Sequence, residues 1–238
     1  QTIAYGASPI AEDVLRRAQA CFGCGFVQFY GMTESTGGGS FLSPADHQLA
    51  GKLTSCGRPW PRTEMAILGP DGQALADGEI GEIAMRGGIV MRRYWNRPEA
   101  TEEALAGGWL HTGDLGYRDA DGFYFVHDRI KDMIVSGGEN VYPAEVEGAI
   151  MGCPGVADIA VIGVPDERWG EAVKALVVAE PGQTPDPAAI IAWARERIAG
   201  YKVPKSVDFI AALPRNPSGK ILRRELRAPY WQGRDRAV

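Results

Sequence analysis

The segment His127–Glu147, "HDRIKDMIVSGGENVYPAEVE", places fixed charge at Asp128, Arg129, Lys131 and Asp132 ahead of a Gly137-Gly138 pair and of Pro143. Proline suits the first turn of a helix, and the "AEVEGAI" behind it puts Val146 and Ile150 on one face. The texture of the chain differs on the two sides of this segment. Downstream come two apolar strands, "VADIAVIGVP" and "EAVKALVVAE", and a helix from about 187 to 199 with Asp186 as its N-cap and Ile190, Ala194 and Ile198 as its core stripe. A strand, "KSVDFIAALP", and a basic tail complete an α+β unit. Upstream, "TEMAILGPDG", "GEIGEIAMRG" and "DLGYRDADGFYFVHDR" alternate in hydrophobicity and are punctuated at Pro70-Asp71-Gly72 and Asp121-Gly122, which predicts antiparallel β structure. The boundary therefore falls near Ile130–Asp132, giving domains 1–130 and 131–238.

The first forty residues differ again. "TIAYGASPI" reads as a strand running into a turn, followed by a helix over about 11–20, and "GFVQFYGMTE" as a second strand ending at a glycine-rich loop, "STGGGS". The expected fold class is thus α/β followed by α+β.

Composition narrows the function. The 238 residues are 45% hydrophobic and 23% charged, as in an ordinary globular protein, and the formal charge is −5. An acidic chain argues against nucleic-acid partners, which require a basic face, and points to small molecules. No run approaches the ~20 apolar residues of a membrane span, and no signal segment opens the chain, so a cytoplasmic protein is expected. Cys21 and Cys24 form a single CxxC with no histidine at ligand spacing, and the expectation is buried, reduced thiols rather than half a zinc site.

Four segments carry the chemistry, in order: "YGASPI" (5–10), "YGMTE" (30–34), "GWLHTGDLGYRDADGF" (108–123) with "DRIKDMIVSGGENVYPAEVE" (128–147), and "PRNPSGKILRREL" (214–226). Together, at these spacings, they resemble the adenylate-forming superfamily, in particular the acyl-CoA synthetases, over almost the whole chain. The resemblance implies the C-terminal part of the large AMP-binding lobe, an α/β piece and a distorted antiparallel β-barrel, followed by a small mobile C-terminal domain. It implies an AMP-forming ligase that joins a carboxylic acid, fatty or aryl, to ATP as an acyl-adenylate and then passes the acyl group to CoA.

The same resemblance assigns the residues. Gly6, Ala7 and Ser8 would lie along the adenine and acyl group, small enough for close approach. Tyr30, with Gly31, offers a stacking face, Thr33 a donor for phosphate, and Glu34 an oxygen for Mg²⁺. Asp114 would accept from the ribose hydroxyls, with Val126 and Arg129 completing the nucleotide contacts. Lys220 would stabilise the charge gathering at the α-phosphate. Lys131 would be a hinge, and Gly137, Gly138 and Glu139 would line the CoA channel. Simpler roles stand beside these: a core tyrosine in a hairpin loop, a turn-capping Asp114, a surface ion pair for Arg129, a glycine hairpin turn at 137–138, and a solvated basic tail.

One departure from the pattern matters. Full members carry an upstream Ser/Thr/Gly-rich phosphate loop ending in lysine, and nothing here qualifies, since the first lysine after "STGGGS" is Lys52. A missing N-terminal half is therefore an expected partner, and the isolated chain is expected to be inactive. Two other functions fit the same residues: an amino-acid-activating adenylation domain delivering to a carrier protein, and a non-catalytic nucleotide-binding fragment.

Overall fold

A computed structural model describes residues 1–7, 10, 12–217 and 219–233. The chain divides into two compact units, Gln1–His127 and Asp128–Val238.

The first unit opens with Thr2–Gly6 (β1) and Gly25–Gly31 (β2), which pair in parallel and are joined by the helix Glu12–Phe22 (α1). Parallel neighbours need such a crossover. Leu15 of α1, Phe26 of β2 and Leu53 close a small core. The expectation that the CxxC thiols are buried fails here: Cys21 is exposed and Cys24 half-exposed, though all four cysteines are free. Six residues beyond Leu15, at about 100° per residue, Cys21 is turned well away from the stripe that faces the core. Gly39–Leu42 (β3) and Arg58–Pro59 (β4) extend the sheet antiparallel.

A second sheet follows in the order Thr63–Leu68 (β5), Gly81–Gly87 (β6), Leu110–Arg118 (β7), Tyr124–Arg129 (β8). Its buried face is built from Met65, Ile67, Ile83, Met85, Leu110 and Tyr124. Turns fall where Pro70-Asp71-Gly72 and Asp121-Gly122 predict them, the second closed by Asp119, whose Oδ1 accepts from the N–H groups of Asp121 and Phe123. The sequence does not announce the helix Pro98–Ala104 (α2) between β6 and β7. It buries no residue, so it has no apolar stripe, and its only signal is proline at its start.

The second unit is organised on one long antiparallel pair, Val156–Asp166 (β11) and Gly170–Ala179 (β12), preceded by the hairpin Ile134–Ser136 (β9) and Glu139–Val141 (β10). Ser206–Phe209 (β13) adds parallel to β12. Pro143–Ile150 (α3) and Pro187–Arg195 (α4) pack Val146, Ile150, Ile190 and Ala194 with Ile159, Val161, Val173 and Ala175. Ile162, Val164, Ala172 and Leu176, of the other parity, pack with Leu226 and Tyr230. Burial on both faces explains why these strands read as unbroken apolar runs. Asp186 caps α4, accepting from Ala188 N–H at 3.0 Å.

Charge holds the unit's beginning to its end. Asp128, 7% exposed, accepts from Ala144 N–H at 2.9 Å, so it caps α3, whose own N-cap residue Tyr142 makes no side-chain cap. Arg223 opens a short helix, Arg223–Arg227 (α5), and its Nη2 reaches both oxygens of Glu147 at 2.8 and 2.7 Å. Its Nη1 lies 3.7 Å from Asp132 and 4.0 Å from Asp128, and Arg227 donates to Asp132 at 2.8 Å. Burial pushes the carboxyls of Asp128 and Glu147 above the usual range against the pull of Arg223, and the guanidinium stays charged under the attraction of Glu147 and Asp128.

Removing one member of a buried charge cluster strands the others, so Arg223→Ala is expected to lower the unfolding free energy by about 3–5 kcal/mol, read from urea denaturation. A loss below about 1 kcal/mol, the worth of an exposed pair, would show the cluster to be solvated. Lys174 donates to Asp208 at 2.8 Å, as does Tyr230, and the lysine holds the Asp208 carboxyl below its ordinary range. A depressed carboxyl stabilises the fold above its unfolded value of about 3.9 and ceases to do so as pH falls through the folded value. The urea midpoint of Asp208→Asn is expected to fall less than wild type between about pH 5 and pH 2.

Candidate functional site

In the first unit a side-chain hydrogen bond links the end of β2 to the middle of β7, strands of two different sheets. Tyr30, packed against the β5–β8 core as Val126 is, donates its hydroxyl to Asp114 Oδ2 at 2.7 Å. Burial first, and then the Asp114 charge, raise this phenol well above an ordinary tyrosine. Asp114 is held by its neighbours. Its N–H donates to Thr112 Oγ1 at 3.1 Å, and that hydroxyl donates to the Ile83 carbonyl at 2.6 Å. Glu82 grips the same segment with both oxygens, one accepting from Gly113 N–H at 2.8 Å and the other 2.7 Å from His111 Nδ1. Since Asp119 supplies the next turn, Asp114 is not needed as that turn's cap.

Directly after Gly31, residues Thr33–Ser35 make one 3-10 turn, pinned by Ser35 Oγ, which accepts from Met32 N–H at 3.0 Å. The turn carries Thr33 and Glu34. Tyr94 donates to Glu34 Oε1 at 2.7 Å, a bond that, with burial, pushes the Tyr94 phenol up to about 12. Gly6 ends β1 opposite Phe29, where a Cβ would run into the Phe29 carbonyl oxygen. Ala7 follows in the left-handed region with φ 65°, and Ser8 lies outside the described residues.

The remaining candidates belong to the second unit. Arg129 and Lys131 are exposed, the latter in the 3-10 turn Ile130–Asp132, where its carbonyl accepts from Arg227 at 3.2 Å. Gly137 and Gly138, at φ 64° and 87°, are the two central residues of the β9–β10 hairpin, a geometry that demands positive φ at both. The hairpin alternative is therefore true. It is not the whole account, because a Cβ on Gly137 would also come within 2.6 Å of the Trp169 ring. Glu139 is exposed at the start of β10. Lys220 sits at the end of a tight turn in which its N–H donates to Asn216 Oδ1 at 2.9 Å, and Arg215 braces the turn from Gly219 O to Asp158.

Tyr94, Glu82 and Asp128 are absent from the sequence-derived candidates. For Tyr94 a signal existed, an aromatic pair followed by Pro98, but it lies in the α2 region that periodicity cannot see. The donors suit Mg²⁺ bound with a nucleotide. Among the described residues no group of three His, Cys, Asp or Glu side chains could hold a metal alone, whereas Mg²⁺ is commonly held by one or two carboxylates, with water and phosphate oxygens supplying the rest.

Comparison with known proteins identifies the family. Residues 1–95 match the AMP-binding enzyme family and residues 145–220 the AMP-binding enzyme C-terminal domain. The chain is 46% identical over 235 residues to the fatty acid–[acyl-carrier-protein] ligase ScoC of Streptomyces coeruleorubidus, covering 98% of this chain and 45% of that protein. It is 50% identical over 230 residues to a feruloyl-CoA synthase of an Amycolatopsis species, covering 97% and 46%. The structure of o-succinylbenzoate CoA synthetase from Bacillus subtilis with an acyl-adenylate intermediate superposes with a TM-score of 0.85 at 40% identity, covering 95% and 46%. The chain thus spans about half the length of the curated relatives it matches. Matched by both family models and sharing the mixed α/β architecture of these ligases, the chain belongs to the adenylate-forming superfamily of AMP-binding enzymes.

Proposed function

We propose that this chain serves an AMP-forming acid–thiol ligase: a carboxylate attacks the α-phosphorus of ATP, releasing pyrophosphate, and a thiol then attacks the acyl-adenylate carbonyl, releasing AMP. The observation that carries this is the Tyr30–Asp114 pair beside the Thr33–Glu34 turn, a ring, a carboxylate, a hydroxyl and a second carboxylate in one place. Tyr30 stacks on adenine, with Gly6, Ala7 and Ser8 along its edge. Asp114 accepts from the ribose hydroxyls, and Val126 and Arg129 complete the nucleotide's surroundings. Thr33 donates to phosphate and Glu34 holds Mg²⁺, which when bound supplies positive charge to the phosphates.

Lys220 stabilises the developing charge of adenylation, and Lys131 is the hinge of a mobile second domain, 131–238, that follows the large-lobe part, 1–130. In this reading β5–β8 belong to a distorted barrel. Gly137, Gly138 and Glu139 face the thiol's pantetheine arm, which the cramped backbone at Gly137 suits. An N-terminal half bearing the phosphate loop completes the site. Four free thiols fit a reducing cytoplasm.

Fatty or aryl acids are the substrate class, since the relatives are named for fatty and ferulic acids. ScoC is named for an acyl-carrier-protein acceptor, which favours a second reading of the thiol, a carrier-bound phosphopantetheine rather than free CoA.

Incubating the protein, with a phosphate-loop half supplied from a relative, with Mg²⁺-ATP and a panel of acids should release pyrophosphate, and AMP release on adding CoA or carrier protein identifies the acceptor. Lys220→Ala is expected to slow acyl-adenylate formation by at least about 100-fold, the loss seen for a single electrostatic donor, with transfer from preformed acyl-adenylate retained. Gly137→Ala should do the reverse, slowing transfer and sparing adenylation. No pyrophosphate from any acid, with nucleotide binding intact, would leave the non-catalytic fragment as the better description.

A further inference from the structure

Glu34 is not left to orient itself. Three hydrogen bonds tie residues 89–94 to the turn that carries it: Thr36 Oγ1 donates to the Ile89 carbonyl at 2.8 Å, Met91 N–H to the Glu34 carbonyl at 2.7 Å, and Tyr94 Oη to Glu34 Oε1 at 2.7 Å. Two of the three reach Glu34 itself. Thr36 has φ 57°, a left-handed conformation that a β-branched side chain rarely adopts and that its surroundings must impose. Tyr94 is itself fixed, its N–H donating to Thr101 Oγ1 at 3.0 Å while that hydroxyl donates to the Arg97 carbonyl at 2.7 Å, at the start of α2.

We propose that Tyr94 is a positioning residue for Glu34, holding one carboxylate oxygen so that the other meets a nucleotide-bound divalent cation. This rests on the nucleotide-site reading above. A phenol is suited to the task. It donates a single hydrogen bond to one oxygen, and a carboxylate has about four lone-pair sites, so coordination capacity remains. It is also neutral. A lysine or arginine here would hold Glu34 as firmly but cancel the charge that attracts the cation. The flexible three-torsion glutamate is thereby ordered before the metal arrives, as partners outside the coordination sphere do for metal ligands generally. The α2 segment, which buries nothing of its own, thus has a use: it anchors Tyr94 through Thr101.

Calorimetric titration of the chain, with the phosphate-loop half of a relative supplied as above, separates the possibilities, with AMP in chelator, then with ATP across a Mg²⁺ series. Tyr94→Phe, which keeps the ring, is expected to raise the Mg²⁺ concentration needed for half-maximal ATP binding by about tenfold and to leave metal-free AMP affinity unchanged. In a Glu34→Gln background the same substitution should add nothing, since the two act through one interaction. Thr101→Val should shift the Mg²⁺ midpoint in the same direction by a smaller factor, and it carries the test if thermal melting shows Tyr94→Phe unfolded. An unchanged Mg²⁺ midpoint in the folded variants overturns the proposal, as does an equal loss of metal-free AMP and Mg²⁺-ATP binding, which marks a merely structural tyrosine. If the wild-type chain with that half supplied binds neither nucleotide, the functional reading fails first and this falls with it.

Discussion

The second unit depends on keeping charge out of water at the place where it begins. Asp128, Asp132 and Glu147 crowd around the guanidinium of Arg223, and Asp128 also caps α3. Desolvating so many charges is unfavourable, and only dense pairing and hydrogen bonding make it tolerable. Glu147 meets this condition with both oxygens accepting from Arg223 Nη2 and one also from the N–H of Val161 at 2.7 Å. What the cluster secures is registry. It fixes α5 against the 130–132 turn, with Arg227 bonded to the Lys131 carbonyl as well as to Asp132. Lys220 lies three residues before Arg223, so the turn that presents the lysine is held from one side by Arg215 and from the other by this charge cluster.

That arrangement answers what the segment 127–147 combines. Asp128, Asp132 and Glu147 serve the interior of the unit, its glycines a hairpin with a tryptophan against it, and its proline a helix capped from fifteen residues upstream. The glycines and the proline were legible, because turn and helix-start chemistry is local. The acids were not. Asp128, Asp132 and Glu147 each look like an ordinary surface carboxylate until the partner, more than seventy residues away, is in place.

The same division runs through the whole chain. Strands β11 and β12 and the Asp186 cap declare themselves by apolar runs and a single side chain, and the motif segments at 30–34 and 108–123 supply the Tyr30–Asp114 pair of the candidate site. Helix α2 and the exposure of Cys21 escaped, the first for want of an apolar stripe and the second because a spacing of two cysteines says nothing about which face of α1 they occupy. Tyr94 escaped with α2. Sequence reasoning finds residues whose chemistry is conspicuous, and misses those that act by holding another residue still.

Tyr30 and Tyr94 make the point physically. Each donates one hydrogen bond to a carboxylate, at Asp114 and at Glu34, over the same distance of 2.7 Å. Each phenol is raised above its ordinary range, Tyr94 first by the bond to Glu34 and Tyr30 first by burial. A phenol so raised stays a donor at any physiological pH, so its carboxylate is ordered without losing charge to the group that orders it. A nucleotide with a divalent cation presents hydroxyls and positive charge to be met, and both are drawn to an undiminished anion fixed in place. For the nucleotide site proposed above, a neutral phenol donor suits that requirement better than an ion pair would.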